Sequence, residues 1–256
     1  MRKVFTILAA TMIAGAAHAA DVSGEVTLDA AENASGNWAV TTGFELGVDA
    51  TGLGSVDLDF TATDGGAVTL DKWTVGTEIG GIGIAVGNDN GVMPEAFDEN
   101  HNTLATPAMT DSVKLSFGDA TVALGFTDWS TDATEISNVQ GSYTLNLAGL
   151  DVKAAGDYNL DTKNYVIGAD VSGVEVSGIA LGGAVTWDKD AEVFGYEANA
   201  NAYGVTAYMN GDNNKTLQNL GGEYSYLLGG AALKAGVNYN LDSEEFTPTV
   251  GVSFSF

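Results

Sequence analysis

The sequence predicts an all-β fold, a transmembrane antiparallel up-and-down β-barrel of about 16 strands. Three observations predict it. Apolar and polar residues alternate with a period of two along most of the chain, short and long connections follow one another in turn, and the polar face of the segments carries many charges. A packed barrel interior would be apolar, so the charged face indicates a water-filled interior and an apolar outer face against lipid.

The first 19 residues have the three parts of an export signal. Arg2 and Lys3 give a positive start, Val4–Ala17 is mostly apolar, and Ala17-His18-Ala19 is a small-x-small cleavage site. The apolar stretch is shorter than the roughly 20 residues that a membrane-spanning helix needs. We therefore expect a cleaved signal peptide over 1–19 and one barrel domain over 20–256.

The charge balance is strongly acidic. Without Arg2 and Lys3, the nine basic residues become seven lysines against 34 acidic residues, a formal net charge of −27. This sign excludes a nucleic-acid partner, which requires a basic surface, and it favours cations wherever the acids line a passage. Without cysteine there is no disulfide framework, and no apolar 20-residue stretch follows the signal.

The alternation defines the strands. Val56, Leu58 and Phe60 share one parity, and Asp57 and Asp59 share the other. About sixteen such segments follow in order: Val22–Asp29, Trp38–Val48, Val56–Ala62, Trp73–Ile79, Ile82–Val86, Val113–Phe117, Val122–Phe126, Val139–Leu145, Leu150–Ala154, Tyr165–Val171, Leu181–Trp187, Tyr196–Ala200, Val205–Met209, Leu220–Tyr226, Leu233–Tyr239 and Phe246–Phe256. The eleventh and thirteenth are the weakest, so a count of 12 or 14 stays open.

The connections between strands fall into two classes that alternate along the chain. Short glycine-rich turns such as Gly80-Gly81, Gly118-Asp119 and Gly173 alternate along the chain with polar, often longer loops such as Asn210–Lys215. An even-stranded meander with both termini on one side gives this pattern, with short turns on the periplasmic side and longer loops outside. A soluble Greek-key sandwich has no reason to produce it.

The last strand carries the most specific mark. Phe256 ends the chain, and Phe254, Val252 and Val250 share its parity. An aromatic C-terminus on an amphipathic strand is similar to the assembly signal of outer-membrane barrels. The whole layout resembles the Gram-negative general porins, particularly those of α-proteobacteria, by architecture and with little motif identity. The resemblance implies passive diffusion of small hydrophilic solutes and ions, contact with outer-membrane lipids and lipopolysaccharide, the barrel assembly machinery as a partner, and a homotrimer.

The longest connection is Asn88–Thr110, between the fifth and sixth segments. A structureless stretch of this length is usually functional. In the family that the sequence resembles, this loop folds inward and narrows the pore. The resemblance thus implies constriction-loop acids at these positions: Asp89, Glu95, Asp98, Glu99 and Asp111.

The same resemblance implies basic residues on the wall opposite the loop. By parity, the lysines that face inward are Lys72, Lys114, Lys153 and Lys234. Facing charges would orient water and polar solutes in the pore. The chain departs from the family pattern because its mature part has no arginine, and solvated lumen lysines without such a role are the alternative.

Other classes of function have less support. Asn88-Asp89-Asn90-Gly91 offers oxygen ligands for calcium, but it lacks the downstream glutamate of a calcium-binding loop, and Asn-Gly is an ordinary turn. We predict no metal site and no cofactor, although calcium near Asp89 stays open. An enzyme is not expected, because His101 is the one histidine of the mature chain. The alternatives are a substrate-specific channel of 12 or 14 strands, a non-conducting structural or adhesive barrel, and a soluble sandwich.

Overall fold

The described residues of the protein form a single sheet of sixteen strands. The computed structural model describes residues 20–32, 38–50, 54–63, 68–88, 90–95, 104–107, 109, 111–127, 135–214, 217–229 and 231–255. The strands are Ala20–Glu32 (β1), Trp38–Ala50 (β2), Gly54–Thr63 (β3), Thr69–Ile79 (β4), Ile82–Gly87 (β5), Ser112–Phe117 (β6), Ala120–Phe126 (β7), Ile136–Leu147 (β8), Leu150–Asn159 (β9), Tyr165–Val176 (β10), Ile179–Asp188 (β11), Val193–Ala202 (β12), Val205–Asp212 (β13), Asn219–Leu228 (β14), Ala231–Asn240 (β15) and Glu245–Ser255 (β16).

The sheet closes on itself. Every strand pairs antiparallel with the next one along the chain, and β1 completes the barrel by pairing with β16, where Leu28 lies opposite Val252. Closure leaves no sheet edge with unpaired backbone groups, which a bilayer requires. The predicted sixteen strands are confirmed, and counts of 12 or 14 are wrong because the two weakest segments, β11 and β13, each pair on both sides.

Tight hairpins join the strands at one end of the barrel. Ala148-Gly149, Ser177-Gly178 and Tyr203-Gly204 each have positive φ at both residues, as in the two-residue turns that match strand twist. The predicted turn at Gly173 is wrong. The turn before β11 is Ser177-Gly178, and Gly173 lies inside β10 at a shift of register, with a φ of 77°. Such a conformation suits glycine and marks a β-bulge.

Within the part of the chain that the structure describes, no helix is long and apolar enough to cross a membrane.

The two faces of the strands differ as the alternation predicts. Apolar side chains stand exposed on the outside, for example Ile79 at 63% and Val22 at 58%. Polar side chains of the other parity are buried, for example Asn210, Asn219 and Asn238. A barrel that exposes apolar residues and buries amides has its apolar side toward lipid and its polar side toward the lumen.

Exposed aromatic residues form two belts on the outer surface. Tyr158, Tyr165 and Phe194 lie near the strand ends that carry the longer loops. The belt at the end with the tight turns contains Phe117, Tyr143, Tyr203, Tyr224, Tyr226 and Phe254. Aromatic residues favour the two interfaces between a bilayer and water, so the belts bracket the apolar band.

Candidate functional site

The lumen is the candidate site, and a row of charges crosses one of its walls. In the strand pairing, Glu25 lies opposite Glu45, Glu45 opposite Asp59, and Asp59 opposite Lys72. Directly paired residues lie about 5 Å apart. These four side chains from β1 to β4 line a cavity of about 480 Å³ together with Asp57. We call these four residues the acidic row, since they carry three carboxylates and one ammonium group.

A second acidic cavity lies closer to the tight turns. It has a volume of about 650 Å³, and its lining includes Asp49, Glu78 and Ser116. Like charges held this close repel one another, so the site is stable only where water and counterions screen them. The arrangement therefore attracts cations to the wall formed by β1 to β5.

The connection between β5 and β6 contacts a different part of the wall. Val92 donates its backbone N–H to Oε1 of Gln140, at 2.9 Å, and Nε2 of Gln140 donates to the carbonyl of Pro107, at 3.0 Å. Gln140 lies on β8 and is fully buried. Two points of the connection, before and after its middle, are thus bonded to one wall residue.

Further contacts extend along β9 to β11. Nζ of Lys153 on β9 lies 3.4 Å from the carbonyl oxygen of Met93, and the backbone N–H of Ala105 donates to Oγ1 of Thr186 on β11, at 2.7 Å. A Cβ built on Gly168 of β10 would lie 2.9 Å from the ring of Pro94. Residues 92–94 and 105 of the connection therefore contact the inward face of β8 to β11, strands that lie roughly opposite β1 to β4 in the closed sheet.

The buried apolar cluster of the described residues belongs to this contact. It consists of Val92 and Met109 from the connection and Ala123 from β7. Nδ2 of Asn138 lies 3.0 Å from the sulfur of Met109. The apolar packing excludes water from the hydrogen bonds beside it, which strengthens them.

The predicted loop acids divide into two groups. Glu95 is exposed and lines a cavity of about 480 Å³ with Lys153, Asp170 and Glu197, and Asp111 accepts a hydrogen bond from Phe126 through its carbonyl. The other three predicted acids lie outside the described residues: Asp89, Asp98 and Glu99.

In the segment considered for calcium, protein groups already engage both side-chain polar atoms of Asn88, whereas Oδ1 of the buried Asn90 has no hydrogen-bond partner within the described ranges. Oδ1 of Asn88 accepts the backbone N–H of Trp73, and its Nδ2 donates to the carbonyl of Asp71, both at 2.7 Å. Asp89 lies outside the described residues, which contain no group of three or more His, Cys, Asp or Glu side chains placed to hold a metal ion.

The four predicted lysines lie on four separate strands. Lys72, on β4, ends the acidic row. Nζ of Lys153 on β9 lies 3.9 Å from Oδ2 of Asp170 on β10. Lys114 on β6 lies opposite Ala85 and Ala123, and Lys234 on β15 lies opposite Ser225 and Gly251. These strands are spread around the barrel rather than gathered on one wall.

The sequence does not reveal the residues that hold the connection. Gln140, Thr186 and Asn138 have the parity of any lumen residue, and their partners lie 29 to 81 positions away. The one local signal is Gly168, a glycine on the inward face, which can indicate a close approach of backbone or ligand.

Neither the family models nor the curated proteins match this sequence. Solved structures do. A mutant of the Rhodopseudomonas blastica porin superposes with a TM-score of 0.65 at 13% identity, over 93% of this chain and 100% of that chain. OprB of Pseudomonas putida, at low pH, has a TM-score of 0.61 at 13% identity, over 96% and 95%. OmpT, an outer membrane protein of Vibrio cholerae in its in-vitro folded trimer form, has a TM-score of 0.54 at 12% identity, over 93% and 99%.

At this level of identity the likeness shows the fold. A closed sixteen-stranded barrel with an apolar exterior and a polar interior defines the class, a porin-like β-barrel fold. Within that class, this chain is similar in fold to the blastica porin over 93% of its length and to OprB over 96%.

Proposed function

We propose that the mature chain is an outer-membrane porin, a water-filled channel through which small hydrophilic solutes and ions diffuse passively, with a mild preference for cations. One observation carries the proposal: the barrel closes with apolar side chains outside and a charged, polar face inside. A lumen with carboxylates along its wall holds water, and hydrated solutes cross it without a binding step.

The surroundings of the barrel follow from its outer surface. The apolar band would contact outer-membrane lipids, and the belt beside the longer loops would meet lipopolysaccharide. We propose that residues 1–19 are the cleaved export signal and that Phe256, outside the described residues, is read by the barrel assembly machinery. We further propose a homotrimer, as in the trimer form of OmpT.

The proposed constriction is the connection between β5 and β6. Its contacts with Gln140, Thr186 and Lys153 support a position inside the barrel, because those side chains belong to the inward face. In this proposal Asp89, Glu95, Asp98, Glu99 and Asp111 lie in or beside the narrowed passage.

The cation preference rests on the acidic row. The described wall from β1 to β4 presents Glu25, Glu45 and Asp59 against one ammonium group, Lys72. The proposed lumen lysines, Lys72, Lys114, Lys153 and Lys234, are too scattered to reverse this local excess of negative charge.

The test is conductance in a planar lipid bilayer. The purified, heat-modifiable protein is added to one side, single-channel steps are recorded, and a salt gradient then gives the reversal potential. Large steps with a reversal potential that favours cations are expected, and steps in groups of three would support the trimer. An unfolded sample of the same protein is the control for leakage through detergent defects.

Two results would contradict parts of the proposal. A reversal potential that favours anions would keep the pore and reject the role of the acidic row. Folded protein without conductance would reject the diffusion pore and favour a non-conducting structural or adhesive barrel. Independently of these results, the likeness to porins supports a channel rather than an enzyme as the starting hypothesis.

A further inference from the structure

One buried side chain joins two limbs of the β5–β6 connection to the barrel wall, the segment that contains Val92 and the segment that contains Pro107. Oε1 of Gln140 accepts the N–H of Val92, and its Nε2 donates to the carbonyl of Pro107. We propose that Gln140 is a clasp, a positioning residue that holds the connection against the wall and thereby fixes the cross-section of the passage. The inference rests on the proposed function only in assigning the connection to the narrowing of a conducting pore.

The clasp needs the chemistry of a primary amide. One limb presents an N–H and requires an acceptor, while the other presents a carbonyl and requires a donor. A glutamine amide offers both at the end of one side chain, and rotating it by 180° would break both bonds. A carboxylate would only accept, so its second oxygen would face the carbonyl of Pro107 with no proton to share.

The surroundings of Gln140 keep both bonds dry. It is fully buried on β8, between Ala123 on β7 and Asp157 on β9, which are themselves buried. Nδ2 of Asn138 donates to Oδ1 of Asp157, at 2.8 Å, and also contacts the sulfur of Met109. Since water does not reach this pocket freely, breaking the clasp would leave backbone groups of the connection without a partner.

The charged groups that face the clasp are few among the described residues. Asp157 lies directly opposite Gln140 in the strand pairing and accepts a hydrogen bond from its amide. Lys114 lies one position further along the same row, beyond Ala123, and Nζ of Lys153 contacts the carbonyl of Met93 beside the clasp. A carboxylate at position 140 would therefore stand beside Asp157 and opposite a carbonyl. Protonation at acidic pH would remove that charge and supply a donor for Pro107.

The experiment measures how often the connection leaves the wall. The chain has no cysteine, and Met93 is 5% exposed beside the clasp, so Met93→Cys gives a single buried thiol as a reporter. The full mature protein, folded in detergent micelles, is treated with a water-soluble methanethiosulfonate reagent and the labelling rate is measured. Labelling of a buried thiol reports the fraction of time that the site is open.

Gln140→Met keeps the length of the side chain and removes both hydrogen bonds to the connection, together with the one to Asp157 on the wall. Two neutral hydrogen bonds correspond to a roughly thirtyfold rise in the ratio of detached to docked connection, so the labelling rate should rise by a similar factor. Ser142→Ala is the matched control, since Ser142 has the same orientation on β8 and lies opposite Thr121 and Ala155. Its labelling rate should equal that of Met93→Cys alone.

Gln140→Glu separates a clasp from a general packing defect. Its labelling rate, relative to Met93→Cys alone at the same pH, should be high at neutral pH and return toward unity at acidic pH. A ratio that stays high at acidic pH, where the protonated side chain again offers both an acceptor and a donor, would contradict the clasp. Equal labelling rates in Gln140→Met, Ser142→Ala and the parent would overturn the clasp. If Gln140→Met does not fold, Gln140→Glu is folded at acidic pH, and its labelling rates at acidic and neutral pH then test the clasp.

This readout does not depend on conductance. Faster labelling in a protein that fails to conduct would support the clasp and reject the pore. Unchanged labelling in a protein that conducts would reject the clasp and leave the pore in place.

Discussion

Neutralising one carboxylate of the acidic row should weaken the preference for cations, and Coulomb's law sets an upper limit on the size of this change. Glu45 stands between Glu25 and Asp59 in the row, with Lys72 at its end, so Glu45→Gln changes the net charge of the row from −2 to −1. The amide keeps the shape of the side chain, and the strand pairing should persist.

The magnitude follows from Coulomb's law. A unit charge about 10 Å from a passing ion in water contributes about 0.4 kcal/mol, which is about a twofold change in the local concentration of a monovalent ion. The change is a decrease for cations and an increase for anions, so the ratio of their permeabilities should fall by about fourfold at most. Salt screens the effect, and it should be small at 1 M, where the screening length is about 3 Å.

The assay is the reversal potential across a bilayer at low and high salt. Glu45→Gln should move it toward zero at low salt, and Lys72→Gln, which makes the row more negative, should move it the other way by a similar amount. Glu244→Gln is the control, because Glu244 is an exposed residue of the β15–β16 loop with the same formal charge. Equal shifts for Glu45→Gln and Glu244→Gln would refute a local role of the row, and no shift at low salt would place the selective region elsewhere.

Two further predictions concern glycines of the inward face. Gly168→Ala should push the connection off the wall and into the passage, since the new methyl would lie 2.9 Å from the ring of Pro94; lower conductance and a loss of about 1 kcal/mol in stability are expected, and unchanged conductance would contradict the contact. Gly221→Ala should lower the thermal unfolding midpoint, because the added Cβ would lie 2.0 Å from the Tyr208 ring. A Cβ added to Gly222 would lie 3.6 Å from the Thr206 carbonyl oxygen, so Gly222→Ala should lower the midpoint less. Circular dichroism measures both midpoints, and a larger decrease for Gly222→Ala would argue against packing of the Tyr208 ring on Gly221.

The strands could be predicted because their signal is local. A strand between lipid and water must alternate, and each of the sixteen alternating segments coincides with a strand. The prediction was wrong where one residue type serves two purposes. Gly173 suggested a turn, but glycine with positive φ also suits a bulge, and the chain turns four residues later at Ser177-Gly178.

The candidate site was predictable only in part. Parity alone assigns Glu45, Asp59 and Lys72 to the lumen, and the structure brings them into one row through strand register. Register depends on turn lengths and bulges summed along the chain, which a pattern does not specify. The role of Gln140 was beyond prediction, because its partners lie 33 and 48 residues away and its parity matches that of any lumen residue.

Closure of the barrel between β1 and β16 also has a consequence for the order of assembly. Leu28 must find Val252, more than 200 residues further along the chain, before the last backbone groups are paired. Bringing the ends of so long a free chain together costs about 5 kcal/mol in entropy. If hairpins form first and add to one another in sequence, that cost is distributed over many short steps, and only the final seam remains to be joined. The first and last strands are therefore expected to protect their amide protons from exchange later than the hairpins between them.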